Sequence, residues 1–447
     1  MDPTQFGLVS SIFTLGGLLG ALGGGPISAR YGGYKTMLGT TSFFIIGPVF
    51  EALALNTGIM AAGRFLSGIG AGAAVVVVPI YISEIAPPKE KGFFGSFTQI
   101  MVNVGILIAQ LLGLFLSRGQ MWRIILAAGG GIGVAQLLGL VLGGQESPKW
   151  MADNGKPSQA KKILQRIRGH EADIEAEVRG WGLESAEDMN EEEETLLDNE
   201  DHMENHPDRS SHGPGAKNKA KTTAESTEKQ ILGPLGVLKD PSSRPAVIAV
   251  ATVMIGQQLC GINSIIMYGV GLLADLLAAG SAPLNVAVAA FNIIVTAGAA
   301  PLIDKLGRKR MLLISTAGMG TSSLLLGIGI LKHIKVLSGV AVLGFVASFA
   351  LGLGPVPFIL SSELVGPEAI GSTQSWALAA NWIATFVVAQ FFPIVNEKLG
   401  RGKVYFIFAA VALVFGGFIA QWVPETKDKA DADEVWGRKK SSSERED

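Results

Sequence analysis

The residues best placed to bind a ligand are neutral amides that lie inside long apolar stretches of the sequence. One stretch contains Gln257, Gln258 and Asn263. A second set lies on one helix face, with the amides Gln99, Asn103 and Gln110 at i, i+4 and i+11 and the apolar Ile106 at i+7. Amides donate and accept hydrogen bonds without net charge, which suits a neutral, hydroxyl-rich ligand. The alternative is that they only bond neighbouring helices together, the interpretation we favour for Asn103 and Gln110.

A second group of candidate residues is charged and lies where apolar stretches end. Its acids are Glu84, Glu146, Asp304, Glu363 and Glu425, and the bases near them are Lys91, Lys149, Arg308 and Lys309. Charges at a membrane edge are costly unless they are paired, so we predict ion pairs among these residues. Pairs that join two parts of the protein would form a latch that closes one side and breaks when that side opens. The alternative is static ion pairs at helix ends.

The composition indicates that membrane helices position these residues. Mean hydropathy is +0.39, and only 17% of residues are charged, against roughly 25% in soluble domains. Many of the 58 glycines lie inside apolar runs, where small residues let membrane helices approach closely. We therefore predict an all-α integral membrane protein. The net charge of −2 gives no indication of nucleic-acid binding.

The apolar stretches predict about eleven membrane spans, since a span needs about 20 mostly apolar residues. They lie at 5–25, 37–55, 59–82, 93–116, 123–143, 246–274, 283–303, 311–331, 336–361, 370–394 and 403–423. The predicted domains are an N-terminal helix bundle (1–145), a helical segment (146–182), an acidic insert (183–232), a C-terminal bundle (233–424) and a tail (425–447). The insert is charged and nearly free of aromatic residues, which predicts disorder. It is interpreted as a solvated spacer, with a regulated or partner-binding segment as the alternative.

Lysine and arginine are more frequent in the loops on one side of the predicted spans. That side includes Arg30, Lys35 and residues 305–310, whereas the other side holds fewer basic residues. Because cytoplasmic loops carry an excess of these residues, the pattern predicts a cytoplasmic central segment and C-terminus and an external N-terminus.

The two halves of the chain also resemble each other. Three pairs of segments correspond in order: Gly25–Gly32 with Ala300–Gly307, Ser83–Pro87 with Ser362–Pro367, and Gln145–Lys149 with Pro424–Lys427. Repeats of this size are typical of transporters built from two helix bundles. The first half has five predicted spans and the second has six, so we expect the bundle to lack its first helix. An incomplete gene model or alternative start would explain this, and a natural short form is the alternative.

At these motifs the chain resembles the sugar porter family of the major facilitator superfamily, in a form similar to fungal members. The resemblance covers nearly the whole chain apart from the acidic insert. The matching segments are Gly63–Arg64, Tyr81–Glu84, Lys91–Gly92, Glu146–Pro148, Gln257–Asn263, Asp304–Lys309 and Pro424–Lys427. The resemblance implies the two-bundle fold of that superfamily, here with eleven of twelve membrane helices.

The resemblance also implies which residues contact a sugar. They would be Gln99, Gln257, Gln258, Asn263, Asn292, Phe358, Asn381 and Trp382. Phe358 occupies a position where the family usually has tryptophan. It belongs to the segment Gly352–Phe358, which is similar to the family's gating segment. Glycine and proline break helices there, and a broken helix can bend over a site.

Four departures from the family pattern bear on function. Proton-coupled members carry a coupling carboxylate on the first helix, so Arg64, which resembles its partner, is expected to lack a mate. Ala29 stands where the first-half loop usually has an acid. Ile370 replaces an arginine, so Glu363 is expected to lose a partner, and Asp428 stands where glycine is usual. We therefore expect a weaker cytoplasmic latch than in the family.

The leading functional hypothesis is transport of a hexose or related polyol by alternating access, in a plasma or vacuolar membrane, with proton coupling through Arg64 left open. The alternative is a transporter-like sensor or trafficking-associated protein with little or no transport activity. We do not expect an enzyme, a metal site or a cofactor. The five histidines lie in the hydrophilic segment or at a span end, away from any arrangement for metal binding or nucleophilic catalysis. The lone Cys260 excludes an intramolecular disulfide.

Overall fold

The computed structural model describes residues 3–116, 119–169, 172–179, 181, 232–265, 281–400, 402–429 and 432–438. Regular structure throughout these residues is helical, as the composition predicts. The chain divides into two compact units. The larger one, called the membrane unit here, comprises Met1–Glu146 and Leu232–Asp447, and the smaller one, the intervening unit, comprises Ser147–Ile231. The predicted acidic insert, apart from Leu232, lies outside the described residues.

In residues 3–116 and 119–146, the first half of the membrane unit contains five long helices. They are α1 (Pro3–Tyr31), α2 (Gly33–Ala52), α3 (Thr57–Ile85), α4 (Lys91–Leu116) and α5 (Trp122–Gly143). The second and third run antiparallel across the short turn 53–56, where the Asn56 side chain caps α3 by accepting a hydrogen bond from the Ile59 N–H.

The intervening unit contains three short helices in the part that the structure describes: α6 (Pro148–Asp153), α7 (Pro157–Arg168) and α8 (Glu175–Arg179). Leu164, Ile174 and Val178 form its small apolar core. Arg168 and Glu177 join α7 to α8 by an ion pair of 2.7 Å. Lys149, a predicted latch residue, lies in α6.

The second half of the membrane unit repeats the pattern of the first. Its helices are α9 (Pro234–Lys239), α10 (Arg244–Leu259), α11 (Ile262–Ser264), α12 (Ser281–Leu306), α13 (Arg308–Leu331), α14 (Lys335–Leu351), α15 (Val356–Glu363), α16 (Ile370–Leu399), α17 (Val404–Trp422) and α18 (Ala432–Val435). Within the first half, α2 packs on α3 and α5. Within the second, α13 packs on α14 and α17 in the same way. The repeat that the sequence shows is therefore also a repeat of packing.

The described residues contain ten helices or helical runs that are long and apolar enough to cross a membrane. Of the eleven predicted spans, 37–55 is the one whose helix, α2, does not meet that threshold. It forms a helix of 20 residues, but Lys35, Glu51 and several hydroxyl residues make it less apolar. Because α2 packs along two of the ten spans, we treat it as a membrane helix.

The most extensive packing between the two halves is made by two pairs of helices that the repeat relates. Helix α4 of the first half packs on α12 of the second, and α1 of the first half packs on α16 of the second. We call the end of the membrane unit where α1, α3 and α12 finish the motif end, because the repeated motifs lie there. The other end is called the opposite end.

Glycine allows the closest helix approach in the first half, between α1 and α3. A β-carbon at Gly72 would lie 1.9 Å from the Gly17 carbonyl oxygen, and one at Gly20 would lie 2.1 Å from the Ile69 oxygen. These distances exclude any side chain. Gly131 on α5, in contrast, has no atom within 4 Å of such a carbon. The glycines inside the apolar runs are therefore of two kinds, and those on α1 and α3 are needed for packing.

We predict that Gly72→Val destabilises the membrane unit by about 1–3 kcal/mol, because its side chain must push α1 away from α3. Gly131→Val is the matched control, since it makes the same change in helix propensity without a neighbouring atom. Thermal melting in detergent, followed by size-exclusion chromatography, measures the difference. Equal melting temperatures for the two variants would contradict this packing.

Candidate functional site

Four of the amides identified in the sequence form one hydrogen-bonded cluster in the second half. The Asn263 amide donates to Gln258 Oε1 at 2.7 Å, and the Asn381 amide donates to Gln257 Oε1 at 2.7 Å. Gln258 Nε2 lies 3.3 Å from both Gln257 Oε1 and Asn381 Oδ1. Residues from α10, α11 and α16 thus converge on one point. We call these four residues the amide cluster.

A break between α10 and α11 turns Asn263 back toward Gln258. Helix α10 ends at Leu259, and Gly261 adopts a left-handed conformation with φ of 96°. L-residues with a side chain rarely adopt such a φ. A β-carbon on Gly261 would also lie 2.6 Å from the Phe408 ring. Glycine is therefore required at this position for the cluster to close.

The predicted break in the segment Gly352–Phe358 is present, between the end of α14 and the start of α15. The backbone groups it frees are used: the Leu353 N–H donates to Ser315 Oγ at 3.0 Å, and the Leu353 carbonyl accepts from Gln257 Nε2. Inside a membrane a broken helix must find such partners. Phe358 is buried in the first turn of α15.

A second group of amides joins the two halves. Gln99 Nε2 donates to Asn103 Oδ1 at 3.1 Å, and Asn103 Nδ2 donates to Asn292 Oδ1 at 3.2 Å and to Thr296 Oγ1 at 3.0 Å. All four side chains are buried. Asn103 thus has the helix-bonding role that we favoured from the sequence, here between α4 and α12.

The two amide groups approach each other at the broken helix. Gln257 of the cluster bonds to Leu353, and a β-carbon on the next residue, Gly354, would lie 3.3 Å from Gln99 Cγ. A cavity of about 40 Å³ extends beside Asn103 and Asn292 toward the opposite end. Gln110 and Asn285 line it together with apolar side chains. Both halves therefore contribute neutral polar groups to one region.

Trp382 connects this region to the first half. Its ring lies 6.0 Å from that of Phe13 on α1, in an edge-to-face arrangement. A β-carbon on Gly17 would come within 2.8 Å of the same indole. Trp382 follows Asn381 of the amide cluster directly in sequence, so α1 rests against the wall of the cluster.

Two of the predicted latch acids cap helices within their own half. Glu146 accepts from the Tyr34 N–H at 3.0 Å, at the start of α2. Glu425 accepts from the Arg308 and Lys309 N–H groups at 2.8 and 3.2 Å, at the start of α13. A carboxylate is stabilised there by the free N–H groups and the helix dipole. These contacts are repeat-related and do not cross between the halves.

Asp304 links the two halves directly. It accepts from the N–H groups of Gly92 and Phe93 at 3.0 and 2.7 Å, at the first turn of α4. Gly92 is needed for this approach, because a β-carbon there would lie 2.2 Å from Asp304 Oδ1. The repeat-related position in the first half is Ala29, which has no carboxylate. The related contact instead runs from the Gly25 N–H to Ser375 Oγ at 3.2 Å.

Glu363 pairs with Arg308, one of the bases predicted to form ion pairs with these acids, although Ile370 replaces the family's arginine. Arg308 donates to it with an N–O separation of 2.8 Å and lies 3.2 Å from Asp304, and Thr426 donates its hydroxyl to Glu363. Arg308, the first residue of α13, thus supplies the charge that Ile370 does not. Asp428, where the family usually has glycine, adopts a φ of 59°. That left-handed conformation explains why glycine is usual there.

Of the remaining predicted latch residues, Glu84 is half-buried in the last turn of α3, and Lys91 begins α4. Lys309 contacts Glu425 through its backbone.

Arg64 has a partner, although the sequence analysis expected it to lack one. Its Nε lies 3.3 Å from Glu51 Oε2, and Ser67 Oγ donates to Glu51 Oε1 at 2.6 Å. Sequence reasoning missed Glu51. The signal was present, because Glu51 is the only Asp or Glu inside any of the eleven predicted spans.

Comparison with known proteins decides the family. Residues 2–432 match the family described as Sugar (and other) transporter. The chain belongs to this sugar transporter family. A probable metabolite transport protein of Saccharomyces cerevisiae, YBR241C, is 34% identical over 439 residues, which cover 98% of this chain and 83% of the yeast protein. Vacuolar protein sorting-associated protein 73 of the same yeast is 30% identical over 433 residues, covering 96% of this chain and 82% of its own.

Among solved structures, the sugar transporter fold is shared with XylE of E. coli, a proton:xylose symporter, bound to 6-bromo-6-deoxy-D-glucose. The TM-score is 0.76 at 23% identity, over 97% of this chain and 89% of XylE. The protein therefore has the all-helical major facilitator fold, and it belongs to a family of membrane transporters rather than enzymes.

We predict that Asp304→Asn opens the motif end. A hydrogen bond to a charged group contributes about 1.5–3 kcal/mol, so its loss shifts the balance between closed and open forms by roughly tenfold to hundredfold. The reporter is Ser28→Cys, at a buried position near the motif end of α1, in a Cys260→Ser background. Faster maleimide labelling in detergent measures the opening.

The control for this experiment is Asp433→Asn, which removes an exposed carboxylate in α18. It should leave labelling of the reporter unchanged. Unchanged labelling in Asp304→Asn would show that the Asp304 contact does not hold the halves together.

Proposed function

We propose that this sugar transporter family member moves a hexose or a related polyol across the membrane by alternating access. The observation that carries the proposal is the meeting of the two amide groups, one in the second half and one shared between the halves, at the broken helix. The proposed substrate contacts are Gln99, Gln257, Gln258, Asn263, Asn292, Phe358, Asn381 and Trp382.

The amides suit a sugar because their present hydrogen bonds can be exchanged. Gln257, Gln258, Asn263 and Asn381 bond mainly to one another, so a ring hydroxyl can replace one amide partner without leaving a buried group unsatisfied. No charge is buried in that exchange. The aromatic faces of Phe358 and Trp382 offer flat apolar surfaces for the C–H groups of a sugar ring.

The contacts at the motif end support a closed gate on that side. Asp304 holds α4, and Ser375 holds α1, so both pairs of helices that join the halves are bonded there. We assign the motif end to the cytosol from the excess of lysine and arginine in its loops. The structure then corresponds to a state closed toward the cytosol. Opening requires α4 to leave Asp304 and α1 to leave Ser375.

A second candidate function is a sensor or trafficking role with little or no transport. The similarity to Vacuolar protein sorting-associated protein 73 favours it. A second argument is that the first half has Ala29 at the position related by the repeat to Asp304, so only one of these two positions carries a carboxylate. The same relative is the reason for preferring a vacuolar membrane over the plasma membrane in this proposal.

Uptake by purified protein in liposomes of defined lipids separates the two functions. Saturable hexose flux that unlabelled hexoses or polyols compete for supports transport. Binding of the sugar, measured by intrinsic tryptophan fluorescence, without any flux supports the sensor and contradicts transport.

We predict that Gln258→Leu lowers kcat/KM for uptake by roughly tenfold to hundredfold, because a sugar hydroxyl and Asn263 would each lose a partner at a cost of about 1–3 kcal/mol. Gln421→Leu makes the same change at an exposed position in α17 and serves as the control. Equal kcat/KM for the two variants would remove the amide cluster from the substrate site.

A further inference from the structure

A buried amide without a hydrogen-bond partner lies on α16, near the motif end. Gln374 is fully buried, and neither its amide nitrogen nor its amide oxygen has a partner among the residues that the structure describes. Buried amides are normally paired, and an unpaired one destabilises the form of the protein in which it occurs. The closed form thus carries a polar group that it does not use.

Gln374 lies at the boundary between the halves. Helix α16 packs on α1 through Gly371 and Ser375. A β-carbon on Gly25 would overlap the Gly371 carbonyl oxygen, and the Gly25 N–H donates to Ser375 Oγ at 3.2 Å. Residues three and four apart are neighbours on a helix surface. Gln374, three residues after Gly371 and directly before Ser375, therefore borders the face that α1 covers.

The internal repeat also places Gln374 against the first half. Gln374 follows the repeated acid Glu363 by eleven residues. Gly95 of α4 follows the related acid, Glu84, by the same number. Gly95 faces α15 of the other half, because a β-carbon there would lie 2.7 Å from Ile359 Cγ1. By the repeat, Gln374 faces α3, which packs on α16. Since the related position is a glycine, packing across the boundary does not require an amide.

The unpaired amide lies on the same side of α16 as the amide cluster. Asn381 of the cluster follows Gln374 by seven residues, which is two helical turns, or about 10 Å along the axis. On α4, Thr98 is also buried, and its hydroxyl has no partner in the described part of the chain. It lies between the motif-end contact at Gly92 and the amide of Gln99. Each half thus holds an unpaired polar group between the substrate contacts and the motif end.

We propose that Gln374 is a second sugar-binding position, on the route between the amide cluster and the motif end, and that this position forms when the motif end opens. When α1 leaves Ser375, the neighbouring amide loses its cover. It then donates to one hydroxyl of a hexose or polyol and accepts from another. Thr98 offers a further hydroxyl from the first half. The inference rests on the proposed function and assigns it a contact that the closed form does not make.

The amide also changes the balance between the two forms. An apolar residue at position 374 would favour the closed form, because burying it leaves no polar group unpaired. The amide raises the free energy of the closed form relative to the open form, where water or sugar pairs with it. Water alone would satisfy the amide, so the test must separate pairing with water from pairing with sugar.

The test is sugar binding to the full chain in detergent, measured by equilibrium dialysis of labelled hexose. Gln374→Met keeps the shape of the side chain and removes its donor and acceptor. In the Asp304→Asn background, where the motif end is open, it should raise Kd roughly threefold to tenfold, the loss of one neutral hydrogen bond. In the wild-type background, where the amide is sealed, Kd should stay unchanged. Gln421→Met, at an exposed position in α17, is the matched control and should leave Kd unchanged in both backgrounds.

The Ser28→Cys reporter in the Cys260→Ser background verifies that the motif end is open. Should Asp304→Asn leave the reporter closed, Gly25→Val replaces it, because a valine side chain cannot fit against Gly371. The melting temperature shows whether Gln374→Met folds. It should not fall, since the change removes an unpaired buried group.

An equal change in Kd in both backgrounds, or no change in either, overturns the inference. Slower labelling of the reporter in Gln374→Met with an unchanged Kd also overturns it, because the amide would then pair with water and not with sugar. Saturable wild-type flux alongside either result leaves sugar transport standing. Absence of wild-type flux overturns the proposed function, and the second sugar position with it.

Discussion

Polar groups inside a lipid-embedded bundle must find their partners within the protein, and the rest of this structure follows from that constraint. The chain meets it with unusually few charges. Its interior polar residues are mostly amides that bond to one another, and the carbonyl freed by the broken helix at Leu353 accepts from Gln257. The same bonds that make the apolar bundle tolerable are weak enough individually to be exchanged for a neutral ligand.

The internal repeat separates contacts made within each half from contacts made between the halves. Glu146 and Glu425 cap equivalent helices in the two halves, and neither contact crosses between them. Asp304 crosses, and its repeat-related position is Ala29. A contact that both halves retain stabilises each half as a rigid body. The Asp304 contact, which only the second half supplies, joins the two halves at the motif end.

Glu51 and Arg64 form an ion pair within the first half, away from the boundary between the halves. The pair joins α2 to α3, and α3 packs on α1, where the Phe13 ring contacts Trp382. The amide region, in contrast, is built from neutral groups that hydrogen-bond to one another.

The sequence alone determined that this is a membrane protein with an internal repeat, which amides lie inside its apolar stretches, and that a helix breaks at Gly352. It could do so because composition, spacing and helix-breaking residues are local properties. It did not determine partners. Glu51 was not identified as a partner and Arg64 was expected to lack one, since a partner depends on which faces meet where helices cross. Tertiary packing decided this: the glycine at position 63 lets α2 come close enough to α3 for Glu51 to reach Arg64, and the start of α13 lies where Arg308 reaches Glu363.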